Sequence, residues 1–526
     1  MLKQTLINLG LKEDNIIVHP DNVIVDPEEQ RKKYGVTILG SYVGADQYVQ
    51  EKINEKVQGL QELKKKIIGV EDVQAQYMLL KWCFRPKIHY WLRTVKTKLL
   101  KGFITAFDDM KRDIMVSIIN NGKFTSFADM DSRTWSQCKM SINDGGMGME
   151  DLKRVIYAAN IASLMSSFEE YETICPNFKQ EIRTENTTIE IILEFQNACM
   201  KVHNSDKDYT IGKILDMSTV GLQEKLTEVL TKERPKELQQ AATEAGLHEY
   251  ATWLGSLQSK QAGMWLNVGN TKGKFKFESD QFQVLVCYRL FINQPHLLMG
   301  MRCDCNKRRP TVDTRGHHLI TGCARMGGRQ ATHNALCAEI KNFMGVNGIR
   351  SRLEETHCFD SESNKRPDIS IYEGQISDKK IILDVTVTCP VNAHSKKKTN
   401  KGGVAAEVAY KRKIEKYSAI AEQNNLKFTP IVFESTGYMH KDAVELLRDI
   451  AGMSEKNKSY TTIALYNYLM TSISVVLQKG LASAFLMGRT RVQGSIVHPI
   501  VLEHYSRNTI AEYTQSLHRN GYRNRE

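Results

Sequence analysis

Two aspartates lie in neighbouring apolar segments of the C-terminal half of the chain. Asp368 follows Pro367 and opens the segment Asp-Ile-Ser-Ile-Tyr, and Asp384 lies inside the β-branched run of residues 380–387. Alternating and β-branched residues predict two short strands joined by a turn, and strand pairing would bring both carboxylates to one sheet edge. Two carboxylates beside basic residues can hold Mg²⁺ or Mn²⁺ against a phosphate and activate a water. The pattern predicts a metal-dependent phosphodiester-cleaving site, with Glu355 as a third candidate ligand.

A role other than metal binding is easier to assign to Asp368 than to Asp384. An aspartate before a strand is commonly a solvated turn residue, and this interpretation stays open for Asp368. Asp384 has apolar neighbours on both sides, where an unpaired carboxylate would cost free energy. We therefore expect Asp384 to be paired or metal-bound.

A second group of chemically capable residues precedes the aspartates. Cys303, Cys305, His318 and Cys323 supply three thiols and one imidazole within a short segment, which is the ligand set of a closed structural Zn²⁺ site. His317 could replace His318, and buried reduced cysteines remain the alternative. The basic side chains within this predicted zinc knuckle suit contact with phosphates; they are Lys307, Arg308 and Arg309.

Composition favours a polyanionic partner and a reducing compartment. The chain of 526 residues carries a formal net charge of +12, and its basic clusters are spread along the sequence, which favours a long nucleic-acid footprint. Eleven irregularly spaced cysteines do not suggest a disulfide scaffold, so we expect an intracellular location, in the nucleus if the source is eukaryotic. No secretory signal opens the chain, and the uncharged residues 459–478 predict a buried helix without a membrane partner.

The order of predicted elements around the aspartates is helix, three strands, helix, strand. This αβββαβ order resembles the core of the restriction-endonuclease-like fold, whose motif is Pro-Asp followed at a distance by Asp/Glu-x-Lys, the PD-(D/E)XK signature. Here Pro367-Asp368 matches the first part, but Thr386 stands where the motif has lysine. The resemblance implies a nuclease whose positive charge must come from another residue.

The helix predicted for residues 404–423 offers that charge. At about 100° per residue, its apolar and small residues form one broad face with Lys413 near the centre and Lys416 at the edge. We predict that Lys413, or else Lys416, orients the attacking water or the phosphate. A lysine whose amine reaches solvent is the alternative. The basic loop before this helix, with Lys396, Lys397 and Lys398, could follow the phosphate backbone or be solvated.

The wider chain resembles one class of mobile-element protein. Several N-terminal segments resemble the end of the palm and the thumb of retroelement reverse transcriptases. These segments are residues 38–49, residues 83–95, Trp135 and the glycine-rich residues 145–149. The knuckle, a helix with Thr332-His333, and the two aspartate segments resemble the C-terminal end of non-LTR retrotransposon proteins that carry a restriction-like endonuclease. His333 matches a family position, although we expect it to cap or pack. The aromatic-x-Asp-Asp turn of the polymerase core lies outside the matched residues.

The resemblance implies a DNA endonuclease that nicks target DNA so that the freed 3′-hydroxyl primes reverse transcription, with DNA and RNA as partners. Two alternatives stay open: an inactive nucleic-acid-binding remnant, and a subunit that needs a separate polymerase-core chain. The expected fold is multidomain and mostly α-helical with one α/β domain. The expected domains are a palm remnant (1–45), a helical thumb-like region (46–200), a helical connector (201–300), the zinc knuckle (301–324), the restriction-like domain (325–440) and a helical extension (441–526).

Overall fold

A computed structural model of the protein describes most of residues 35–493. Within that range it leaves out residues 121–129, 185–188, 270–272, 296, 298–299, 324–326, 357, 359–365, 392–400 and 456–459. The described chain divides into two compact units that interleave along the sequence. The first contains residues up to 65, 85–110 and 152–230, and the second contains residues 66–84, 111–151 and those from 231 onward.

Helices dominate both units. In chain order they are α1 (Asp46–Ile68), α2 (Val73–Leu79), α3 (His89–Thr94), α4 (Thr97–Ile119), α5 (Ser132–Cys138), α6 (Leu152–Ser166), α7 (Phe168–Ile174), α8 (Phe178–Arg183), α9 (Glu190–Ser205), α10 (Ile211–Leu215), α11 (Leu222–Thr231), α12 (Arg234–Glu244), α13 (His248–Leu257), α14 (Ser279–Arg289), α15 (Gly327–Val346), α16 (Val404–Gln423), α17 (Lys441–Glu455) and α18 (Thr462–Gln493). Short 3-10 or π segments cover Leu80–Phe84, Arg85–Ile88, Gln261–Asn267 and His318–Gly322.

The first unit joins a small hairpin to a helical core. Strands β1 (Gly35–Ile38) and β2 (Ser41–Gly44) pair antiparallel through a tight turn. Gly40 has φ 85° in that turn, a conformation that glycine adopts without steric cost, and its carbonyl accepts a hydrogen bond from Trp91 Nε1 at 3.1 Å. The core of the unit is formed by α6 to α11, where Phe195 is fully buried. Burial of this helical stripe stabilises the unit.

The second unit is built around one long buried helix. Helix α18 is buried on most sides and packs against α14, α15 and α17. It is long and apolar enough to span a bilayer by length and composition, yet 78% of its apolar window is buried inside the protein. Helix α15 approaches it closely, since a Cβ at Gly480 would lie 2.3 Å from Thr332 Oγ1. The absence of a side chain at Gly480 permits this approach.

A four-stranded mixed sheet completes the second unit. Its strands are β3 (Ser351–Leu353), β4 (Ile369–Ile371), β5 (Ile381–Thr388) and β6 (Lys427–Glu434), and they lie in that order. The first three pair antiparallel, whereas β5 and β6 are parallel. Parallel neighbours need a crossover, and α16 supplies it and packs on β5 and β6. Ile381, Ile382 and Leu383 are almost completely buried, which explains the unbroken apolar run.

The structure confirms a mostly helical fold with a small mixed sheet. The element order from α15 to β6 follows the expected helix, three strands, helix and strand. Three bounds differ from the sequence patterns, which predict a helix from Thr332 to about Met344, a strand near residues 349–355 and a helix over residues 461–480. Helix α15 begins five residues before Thr332, since Gly327 is its first residue. Strand β3 is limited to Ser351–Leu353, and α18 extends well past residue 480.

Candidate active site

The start of β4 places the two aspartates near each other. Ile369 pairs with Leu383 across the antiparallel strands β4 and β5, and Asp368 and Asp384 are the residues next to this pair. The amide of Asp368 donates to the carbonyl of Leu383 at 2.9 Å. Burial raises the pKa of the Cys337 thiol, and both carboxylates lie close enough to that thiol to add to the effect. Both side chains are partly exposed, with 20% and 17% of their surface accessible.

Asp384 is paired with the lysine that lies near the centre of the α16 face. Lys413 Nζ lies 2.7 Å from Asp384 Oδ2 and 2.9 Å from Oδ1. Thr386, at the position where the nuclease motif has lysine, donates its hydroxyl to Asp384 Oδ2 at 3.0 Å. Lys416 does not join this group, because it is exposed and its amine lies 4.8 Å from the ring centre of Tyr417. The structure therefore brings together Asp384 and Lys413.

Asp368 is held by a histidine from α15. His333 Nε2 lies 3.0 Å from Asp368 Oδ2, and the amide of Val385 donates to the same oxygen at 2.6 Å. The hydrogen bond to Asp368, together with the Cys337 thiol, raises the pKa of His333 to about 11. His333 therefore holds its proton more firmly than a free histidine does. Sequence reasoning assigned it to capping or packing and missed this contact.

Cys337 lies one helical turn from His333, with its Sγ 3.9 Å from each ring nitrogen. Its side chain is buried, and burial raises the pKa of the thiol although contact with His333 opposes that change. The spacing of four residues on one helix was the available sequence signal for this pair, because it places both side chains on one face.

Glu355 lies in a different ionic contact. Its Oε2 is 2.7 Å from Lys380 Nζ and 3.2 Å from the Cys358 thiol. Burial raises the pKa of Glu355, but hydrogen bonds from Lys380, Ser370 and Cys358 outweigh that effect and bring the pKa below its usual value. Among the described residues, the groups of closely spaced metal-binding atoms do not include Glu355. Its predicted role as a third metal ligand has no support from this geometry.

The predicted knuckle brings its four ligand atoms together. Cys303 Sγ lies 3.8 Å from Cys323 Sγ, Cys305 Sγ lies 3.7 Å from His318 Nε2, and all four atoms fall within 4.8 Å of one another. Zn²⁺ bonds of about 2.0–2.3 Å in a tetrahedron separate the ligand atoms by roughly 3.4–3.8 Å. The donor set and its spacing fit Zn²⁺, so this Cys/His cluster could bind zinc.

Backbone contacts explain which histidine faces the thiols. Asp313 accepts hydrogen bonds from the amides of His317 at 3.0 Å and His318 at 2.8 Å, which fixes the start of the His318–Gly322 turn. The His317 ring points the other way, with Nδ1 3.6 Å from Cys389 Sγ and its ring centre 5.5 Å from that of Trp253. His317 is therefore a packing residue at the end of β5.

The predicted nucleic-acid contacts fall in two places. The first group is exposed in the turn between Cys305 and Thr311, and it consists of Lys307, Arg308 and Arg309. A bridge between Arg302 and Thr311 closes this turn. The exposure of the first group leaves it available to phosphates. The other predicted group, Lys396, Lys397 and Lys398, lies outside the described residues.

Comparison with known proteins relates the chain to mobile elements. No family model matches it. Over 172 residues it is 27% identical to the retrotransposable element SLACS 132 kDa protein of Trypanosoma brucei gambiense, a match that covers 31% of this chain and 14% of that protein. The chain thus matches only a small part of that relative's length. The similarity supports a retrotransposon-related protein.

Proposed function

We propose that this protein is a metal-dependent DNA endonuclease of a retroelement, which nicks target DNA so that the new 3′-hydroxyl primes reverse transcription. The observation that carries the proposal is the convergence of Asp368, Asp384 and Lys413 where β4 begins beside β5. Similarity to a retrotransposable element protein supports the retroelement setting. DNA and RNA are the proposed partners, together with a chain that carries the polymerase core.

The carboxylates suit a hard divalent cation. Mg²⁺ prefers oxygen ligands and is commonly held by one or two carboxylates with water and substrate phosphate. Asp368 and Asp384 would hold Mg²⁺ or Mn²⁺, which activates water and neutralises phosphate charge when bound.

The chain's own cations have separate tasks in this proposal. Lys413 reaches the site from α16 with its ammonium at the Asp384 carboxylate, where it can lie beside the scissile phosphate and stabilise the charge that develops there. His333 holds Asp368 from α15 and positions that carboxylate. The exposed Lys307, Arg308 and Arg309 would grip the phosphate backbone.

One observation favours an inactive binding protein as the second candidate. Thr386 occupies the lysine position of the Asp-x-Lys motif, and Asp384 is already neutralised by Lys413. A site whose carboxylates only stabilise the fold would look similar. Such a remnant, or a subunit that needs a polymerase-core chain, would bind DNA without cutting it.

Nicking of supercoiled plasmid by the purified protein distinguishes the endonuclease from the inactive binding protein. We expect cleavage with Mg²⁺ or Mn²⁺, none without added divalent ions, and a loss of at least about 100-fold in Asp384→Asn. Asp378→Asn is the matched control, since Asp378 is an exposed aspartate in the turn between β4 and β5, and it should cut like wild type. DNA binding without cleavage by the wild-type protein would favour the inactive binding protein. Equal cleavage by Asp384→Asn and wild type would show that Asp384 takes no part in the reaction.

A further inference from the structure

Three metal-binding side chains of different chemistry meet at Asp368. His333 and Cys337 lie four residues apart on α15, and one nitrogen, one sulfur and one carboxylate oxygen fall within 4.8 Å of one another. Residues spaced by four project from the same face of a helix and act as a chelating pair. The third ligand comes from the sheet, so the group spans two elements already fixed by packing.

The donor set selects a softer ion than Mg²⁺. Thiolate and imidazole are ligands of Zn²⁺ and related ions, whereas Mg²⁺ takes oxygen ligands almost exclusively. Three protein ligands with one position left for water is the usual arrangement of an open zinc site. Cys337 is 5% exposed, while the side chains of His333 and Asp368 keep 27% and 20% of their surface accessible, so an ion can enter from solvent on one side.

We propose that His333, Cys337 and Asp368 form a second zinc-binding site, separate from the Cys303–Cys323 cluster. An ion that binds here displaces the protons of the His333 ring and the Cys337 thiol into solvent, and it uses Asp368, the residue proposed to hold Mg²⁺. Occupation by Zn²⁺ therefore blocks the nuclease site. This last step rests on the proposed function, whereas binding of the ion depends on the three ligands alone.

Cobalt substitution reports the site directly. The protein is first given one equivalent of Zn²⁺, which the Cys303–Cys323 cluster takes in preference because it offers four ligands, three of them thiolates, and Co²⁺ is then added. Co²⁺ binds such sites more weakly than Zn²⁺ and so leaves the filled cluster occupied. We expect a further equivalent of Co²⁺ to bind with a thiolate-to-cobalt absorption band. Cys337→Ser should lose that band, and Cys358→Ser, which removes another thiol from the same domain, should retain it.

His333→Ala supplies a second variant in case Cys337→Ser does not fold, because His333 is only half-buried. It should also lose the band, and circular dichroism shows whether either variant is folded. The proposal is overturned if the zinc-loaded wild type gives no band, or if the band survives in folded Cys337→Ser and His333→Ala proteins.

Plasmid nicking separates the two claims. Added Zn²⁺ should inhibit Mg²⁺-dependent nicking by wild type, and Cys337→Ser, measured as a fraction of its own rate without zinc, should lose that inhibition. A cobalt band in a protein that never nicks supports the metal site and contradicts only the proposed function. Equal zinc inhibition of wild type and Cys337→Ser overturns the claim that this site blocks the nuclease.

Discussion

Each of the two aspartates has a cation of its own. Lys413 pairs with Asp384, and His333 pairs with Asp368. Each carboxylate therefore has a partner that can carry positive charge before any metal binds. A divalent cation added to these pairs would make the site more positive, which attracts a phosphodiester.

Lys413 is expected to matter for catalysis beyond its ion pair. Lys413→Met keeps most of the buried hydrocarbon stem but removes the charge, so nicking should fall by about 100-fold or more if the ammonium stabilises the transition state. Lys416→Met makes the same change three residues later, where the side chain is exposed. It should retain wild-type nicking under identical metal and salt. Equal losses in both variants would show that general positive charge, rather than the position of Lys413, is required.

The residues of this site differ in how far the sequence reveals them. Lys413 is predictable because helical periodicity alone places it on the face towards the sheet. The contact between His333 and Asp368 spans 35 positions and depends on how α15 packs beside the sheet, which local patterns do not encode. The choice between His317 and His318 was likewise open, because adjacent residues satisfy the same spacing and only the Asp313 contacts select one.

At the scale of elements, the position of α15 depends on its fit against α18. Gly480 allows Thr332, the neighbour of His333, to approach the helix axis, and Thr332 is held by a hydrogen bond from its hydroxyl to the Gly328 carbonyl at 2.7 Å. The apolar run predicts α18 itself, but its partner helix and the role of Gly480 are set by long-range packing. A helical glycine in a sequence gives no sign of what lies against it.

Gly480→Ala should therefore destabilise the second unit. The new Cβ would lie 2.3 Å from Thr332 Oγ1, and forcing such overpacking costs about 1–3 kcal/mol of unfolding free energy. Gly345→Ala is the control, because Gly345 is exposed on α15 and a Cβ there meets nothing within 4 Å. That change should stabilise by about 0.5–1 kcal/mol. Urea unfolding followed by tryptophan fluorescence measures the unfolding free energy of both variants. An unchanged unfolding free energy in Gly480→Ala would mean that α15 and α18 can move apart without cost.

The N-terminus of α16, the helix that carries Lys413, is tied to β6 by a buried carboxyl. Glu434 is fully buried and accepts hydrogen bonds from the Ser256 hydroxyl and from the amide of Ala406 at 3.0 Å. Burial raises the pKa of Glu434 against the lowering effect of these bonds. The folded protein thus keeps this proton to higher pH than the unfolded chain does.

The sign of the resulting pH dependence is fixed. Because the folded pKa is raised, the stabilisation by protonated Glu434 is present below the unfolded pKa of about 4.3 and is lost as pH rises through the folded pKa. Glu434→Gln removes this ionisation, so the variant's unfolding free energy relative to wild type should increase with pH over the range that begins at about 4. Glu415→Gln removes an exposed carboxyl from α16, and its unfolding free energy should follow the wild-type pH dependence. An unchanged difference across that range would exclude the ionisation of Glu434 as a term in stability.

At the scale of the whole molecule, the chain passes between its two units more than once. Residues 66–84 and 111–151 belong to the unit that contains the candidate site. Tyr77 shows why, because its hydroxyl donates to the Met147 carbonyl at 3.0 Å and its ring lies 5.6 Å from that of Phe282. Tyr77 is fully buried, and these two partners lie at least 70 positions away, so local sequence patterns do not encode the contacts. The six predicted domain limits, drawn along a linear chain, stay predictions.

The net charge of +12 leads to a prediction about nucleic-acid binding. Affinity for duplex DNA should fall steeply with salt, because each neutralised phosphate releases counterions. Replacing Lys307, Arg308 and Arg309 together by alanine should lower the magnitude of the slope of log K against log salt by roughly 2–3. Fluorescence anisotropy over a salt series measures this slope.

Lys236→Ala is the comparison for general loss of charge, since Lys236 is exposed but already pairs with Glu233 at 3.1 Å. It should leave the slope almost unchanged, because a charge neutralised by a neighbour releases few counterions. If the triple variant keeps the wild-type slope, the exposed turn of the Cys/His cluster does not contact phosphates, and the footprint must lie on other basic surfaces. If its slope falls while plasmid nicking persists at low salt, the basic turn contributes to DNA binding and the aspartates carry out cleavage. The geometry favours this separation of the two roles.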